Sequence, residues 1–183
     1  MYATFQARAE AVSAEVKRFA DRALAVEHVL ELLRAEGVGG PCGATAVWSD
    51  RGFLAAAEHD ALIARVPGLA FEVTRERAAK ARVGVSQVDY AVAETGSLAV
   101  AADAVEERLV STLPEVHVAL ADPDHLVPNL SALWEVLEPL RIRYLSLITG
   151  PSRTADIERV LTIGVHGPRR LVIVFVDGMA GRS

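Results

Sequence analysis

The chain reads as an α/β protein with an open, mostly parallel twisted sheet and helices on both faces. Three observations predict this class. Short runs rich in valine and isoleucine, above all Val116–Ala121 and Leu171–Val176, have the character of buried strands. Segments rich in alanine, leucine and charged residues separate them, and alanine and leucine favour helix. Hydrophobic residues make up 51% of the chain but aromatics only 5%, so the core must be built from Ala, Val and Leu. At 183 residues, with no internal repeat or low-complexity linker, residues 1–183 are expected to form a single domain.

The elements follow in order. Tyr2 to about Val12 predicts a helix, and the alternating Glu15–Phe19 a short strand, with an unbroken helix as the rival reading. Asp21 is placed to cap a helix over Ala23–Ala35, where Leu24, Val29, Leu32 and Leu33 share one face. Glycines 37, 39, 40 and 43 with Pro41 break the chain. A strand at Thr45–Trp48, a helix around Phe53–Arg65, a strand at Ala70–Val73 and a helix over Arg75–Ala81 come next. Two β-prone pieces, Gln87–Ala93 and Ser97–Ala101, are joined by Glu94-Thr95-Gly96 as a tight turn. Glu106–Thr112 is expected to be helical, Val116–Ala121 a strand, Leu126–Leu137 an amphipathic helix and Arg143–Ile148 a strand. Gly150–Thr154 reads as a loop, Ala155–Ile163 as a helix closed by Gly164, and Leu171–Val176 as the last strand.

Composition excludes several classes. The net charge is −5 with both signs interspersed and no Lys/Arg block, so no nucleic-acid surface is expected. Cys42 is the one cysteine, which rules out an internal disulfide and a four-thiolate cluster within one chain. Met1–Glu15 is charged throughout, unlike a signal peptide, and the apolar run Leu171–Val176 is far too short to span a bilayer. A cytoplasmic protein without a membrane span is the expectation, and a homo-oligomer is left open.

Three loops bear chemistry-capable residues, and all are expected in one crevice outside the carboxyl ends of the strands. Glu94, with Thr95, Gly96 and Ser97, interrupts an apolar run; a carboxylate there is either a base, nucleophile or cation ligand, or an exposed turn residue. Ser152, Arg153, Thr154 and Asp156 stand at a strand-to-helix junction whose free N–H groups suit an anion; the plain alternative is a helix capped by Thr154. His166, followed by Gly167 and Pro168, offers an imidazole for proton transfer. Arg108 suits a carboxylate or phosphate, or a surface ion pair, with Ser111 beside it; His117 sits within a strand. No H-x-x-x-H spacing is present, so no metal site is expected.

Together, Tyr90–Ser97, Arg108–Ser111, Leu113–Val118, Gly150–Glu158 and Gly164–Pro168 resemble the LutC/YkgG (LUD-domain, lactate-utilization protein C) family, in its order, over roughly residues 83–177. Two departures are Gly84-Val85-Ser86 in place of Gly-Ile-Thr and Glu115 in place of the second proline of Leu-Pro-Pro; Glu115 puts a charge near the expected cleft. The resemblance implies a NagB/RpiA/CoA-transferase-like fold and a bacterial system oxidising L-lactate to pyruvate. Iron–sulfur clusters would then lie only in partner proteins, with no cofactor in this chain.

On that reading Glu94 and His166 are catalytic, handling protons or organising the site. Arg108, Ser152 and Arg153 hold a small carboxylate or anionic ligand, with Thr95, Gly96, Ser97, Ser111, His117, Thr154, Asp156 and Gly167 around it. Two alternatives stay open. One is an independent enzyme on the same fold, a sugar-phosphate isomerase or acyl/CoA transferase with Glu94 as base or nucleophile. The other is a non-catalytic assembly module.

Overall fold

The computed structural model describes residues 1–137, 142–155, 161–163 and 167–179. Its centre is a six-stranded sheet in the order β1-β12-β7-β4-β2-β3, with every neighbouring pair parallel. The strands are β1 (Glu15–Phe19), β2 (Ala46–Ser49), β3 (Leu69–Ala70), β4 (Val83–Gln87), β7 (Val116–Ala121) and β12 (Arg170–Val176). β7 and β12 lie in the interior of the sheet, which is why every residue of β7 is buried.

Helices cover both faces. On one, α2 (Arg22–Ala35) and α3 (Ala56–Arg65) pack on Val83, Val85, Val116, Val118, Leu120, Val172 and Val174. On the other, α1 (Tyr2–Ala11) lays Phe5 and Ala9 on Ala119, Ile173 and Phe175, while α4 (Arg75–Lys80) and α5 (Val105–Thr112) bring Ala78 and Val110 to Val47. The period-two alternation of β7 thus serves two apolar layers, even-numbered residues to one and Ala119 and Ala121 to the other. Asp21 caps α2 by accepting the Leu24 N–H at 2.9 Å, as its position predicts.

A second sheet, absent from the sequence reading, has four strands in the order β8-β5-β6-β9. β5 (Tyr90–Val92) and β6 (Ser97–Ala101) form the expected antiparallel hairpin around Glu94-Thr95-Gly96. β8 (Leu126–Val127) and β9 (Leu145–Ile148) flank it. It packs on the large sheet beside α1 through Ala91, Ala93, Leu98 and Val100, and its other side is covered by α6 (Leu130–Val136) through Leu133.

Two expected helices change. The stretch over Leu126–Leu137 begins as a 3₁₀ turn, Pro123–His125, and strand β8; the helix starts only after Asn129, whose side chain accepts the Ala132 N–H. Pro128 explains the boundary, because the residue before a proline is held out of the helical region. The helix expected over Ala155–Ile163 is not formed at either end: β10 (Arg153–Ala155) pairs antiparallel with β11 (Leu161–Ile163). Among the described residues no helix is long and apolar enough to cross a membrane.

Candidate functional site

The Glu94–Ser97 turn is set by its contact with α1. Gly96 has φ +67°, and a Cβ on it would overlap the backbone of Arg8 and Ala9, so only glycine fits. This close approach leaves Glu94 exposed, not buried, at a cavity of about 320 Å³ lined by Thr4, Arg8, Ala93, Glu94, Pro128 and Asn129. Arg8 makes no ion pair or side-chain hydrogen bond among the described residues, and it lines the same hollow as Glu94. Beside them the Thr95 hydroxyl oxygen is buried with no partner among the described residues. Ser97 is committed elsewhere, 2.7 Å from the Thr149 hydroxyl.

The Gly150–Arg153 loop meets the other end of α1. Gly150, at φ +71°, lies against the Val12 carbonyl, and Arg153 donates to that carbonyl at 2.8 Å and to Ser13 Oγ at 2.6 Å. Ser152 N donates to the Pro168 carbonyl, and Gly167 packs on the Ser152 side chain. These contacts precede β1 and β12, so this loop pair lies at the amino edge of the parallel sheet, not at the carboxyl edge where it was expected. Arg153–Ala155 is a strand, so among the described residues this loop leads into no helix start that could bind an anion. The Thr154 side chain, Asp156 and His166 lie outside the described residues.

Arg108 is also occupied. It donates to the carbonyls of Ala102 and Asp103 and lies over the Tyr144 ring, 4.3 Å from its centroid. Ser111 bonds back to the Glu107 and Arg108 carbonyls within α5. His117 is fully buried, its Nε2 2.9 Å from the Ser86 hydroxyl and its Nδ1 without a partner among the described residues. Burial pushes its pKa down to about 4, so the ring is neutral near pH 7. Glu115 does not border the Glu94 hollow; it pairs with Arg82 and Arg169 at the amino edge.

Sequence reasoning missed the densest polar cluster. From β2 the chain winds outward to β3, whereas from β4 it goes inward to β7, so the winding reverses between β2 and β4. At the carboxyl end of that gap Arg51 Nη1 lies 2.8 Å from Glu107 Oε1 and 3.4 Å from Asp89 Oδ2, and Arg51 also donates to the Gln87 carbonyl. Asp89 in turn accepts the Ala101 N–H at 2.8 Å, tying the second sheet to the first. The crevice where open α/β sheets bind ligands is therefore filled by an internal guanidinium and two carboxylates. The available signal was Asp89, an acid between two apolar runs; Glu107, flanked by Glu106 and Arg108, gave none.

The LUD domain family model matches residues 2–176. Lactate utilization protein C of Macrococcus caseolyticus is 36% identical over 107 residues, covering 55% of this chain and 46% of that protein. The protein of the same name from Exiguobacterium sp. is 36% identical over 114 residues, covering 59% and 50%. The chain thus spans about half the length of the curated relatives it matches. A crystal structure of a DUF162 family protein from Deinococcus radiodurans shares the fold, with a TM-score of 0.61 at 18% identity over 96% of this chain and 95% of that one.

Proposed function

The chain belongs to the LUD domain family, and from that premise we propose that it serves lactate utilization as a subunit working beside iron–sulfur partner proteins in the oxidation of L-lactate to pyruvate. The observation that carries this reading is its similarity to several proteins named Lactate utilization protein C. Electrons released from lactate leave through the partners' clusters, since one cysteine cannot hold a four-thiolate centre here.

Within this chain the small carboxylate sits in the hollow between α1 and the Glu94 turn. Arg8 replaces Arg108 and Arg153 as the anion-binding group, because those two are already engaged by carbonyls. A guanidinium suits a carboxylate, and a hollow of about 320 Å³ accommodates a three-carbon acid. Glu94 is the acceptor for the substrate's hydroxyl proton, and the Thr95 hydroxyl is a spare donor beside it.

The test is complementation in the source bacterium after other enzymes that oxidise lactate have been removed. Deletion is expected to abolish growth on lactate, and Glu94→Gln and Arg8→Met are expected to fail to restore it at normal protein levels. Unimpaired growth of the deletion strain would refute the lactate reading. Full rescue by both variants would move the chemistry off this chain and leave an assembly module. Turnover of a phosphosugar or CoA ester that Glu94→Gln abolishes would instead establish an independent enzyme.

A further inference from the structure

A second hollow, of about 570 Å³, opens at the β3 edge of the large sheet between α3 and α4. β3 has only two residues and, among the described residues, nothing pairs with its outer side, so the hollow is lined by Ile63, Ala70 and Phe71 together with His59, Arg77 and Lys80. It is well above the size a three-carbon acid needs, and none of its lining residues borders the Glu94 hollow.

His59 is held in place from two directions. Its ring stacks on Phe71 with centroids 3.8 Å apart and planes 6° from parallel. Its Nε2 lies 3.0 Å from Asp50 Oδ2, while Asp50 Oδ1 accepts the Phe53 and Leu54 N–H groups at 2.9 and 3.2 Å. A carboxylate only accepts, so Nε2 carries a proton, and in the neutral form of the ring Nδ1 is an acceptor. That nitrogen has no partner among the described residues. Among the described residues the ion pairs of Arg77 and Lys80 are with Glu72 and Glu76, Arg77 also donating to the Glu72 carbonyl, and all four side chains are about half exposed or more. Exposed pairs of this kind are weak, so a ligand's anionic group can displace either acid.

We propose that this hollow binds an aromatic carboxylic acid bearing a hydroxyl or N–H group. The ring lies against Ile63 and Phe71, the donor bonds to His59 Nδ1, and the carboxylate reaches Arg77 or Lys80. Fixed aromatic and imidazole groups lose little freedom when such a ligand arrives, the usual basis of a preformed site.

Titrating the full chain with 4-hydroxybenzoate, benzoate and 4-hydroxybenzyl alcohol, followed by amide NMR shifts, tests this. The first probe is expected to shift Ile63, Ala70 and Phe71 saturably. Benzoate, lacking the donor, and the alcohol, lacking the charge, should each bind about fivefold more weakly, as one hydrogen bond or one exposed charge contact predicts. His59→Ala should reduce the first probe to the affinity of benzoate, and Ile63→Trp should fill the hollow and abolish binding without lowering the melting temperature. Glu94→Gln should change nothing, so this result stands apart from the lactate reading. No saturable shift at those residues, or equal affinity for all three probes unaltered by His59→Ala and Ile63→Trp, would overturn the proposal.

Discussion

The two ends of the parallel sheet solve the same electrostatic problem in opposite ways. At the amino edge Arg170 bridges Glu15 and Glu36, Arg82 bridges Glu36 and Glu115, and Arg169 joins Glu115: three cations alternate with three acids. Most of these side chains are a third to a half exposed. The Glu15 hydrogen bond holds the Arg170 guanidinium above its ordinary pKa and, reciprocally, Arg170 holds Glu15 below the usual carboxylate range. At the carboxyl edge Arg51 pairs with both Asp89 and Glu107, and both acids are less than a tenth exposed. Water shares the work at the first edge. At the second the protein must do it alone, so each charge removed there should cost more.

The largest expected effect follows from breaking the buried end. Arg51→Met removes a guanidinium from two buried carboxylates and should lower unfolding free energy by about 3–5 kcal/mol, read from urea midpoints. A loss below about 1 kcal/mol would mean that water already reaches the cluster.

His117 sharpens the contrast through pH. Its folded pKa lies near 4 against an ordinary 6.5, so the unfolded chain takes up a proton first. That contribution is constant above pH 6.5 and is lost as pH falls towards 4, amounting to about 2 kcal/mol between pH 7.5 and 5. In His117→Leu this part of the pH slope should vanish; an unchanged slope would assign it to other groups.

Arg170→Met tests the exposed end and should cost only about 1 kcal/mol. The smallest effect is a change of that penalty with salt. In 1 M NaCl the Arg170→Met loss should shrink, because screening acts within about 3 Å, while the Arg51→Met loss should hold. If both respond alike to salt, the two edges do not differ in burial as described.

Much of the fold was legible because local rules and tertiary packing agree. β7 and β1 fall where their residue patterns put them, and α2 begins at the Asp21 cap. The hairpin around Gly96 was readable too, although its reason, the press of α1 against the turn, was not. Legibility failed where partners lie far away in sequence. Leu126–Val127 is drawn into β8 by β5, and Arg153–Ala155 pairs with Leu161–Ile163 despite helix-favouring residues nearby. The site suffered in the same way. Arg108 and Arg153 had the right chemistry but are satisfied by carbonyls, whereas Arg8, on a helix with no motif, lines the same hollow as Glu94.

The amino-acid order by itself determined the α/β class, the buried parallel strands, the main helix cap and the single thiol that excludes a four-thiolate cluster within this chain. Periodicity, capping and counting are local properties, and they persist whatever the rest of the chain does. The tertiary structure alone decided that a second sheet forms, that Arg51 fills the switch crevice, and that Arg8 and Glu94 share a hollow. Those outcomes depend on which distant backbone and side-chain groups meet, and on which polar atoms are satisfied before any ligand arrives.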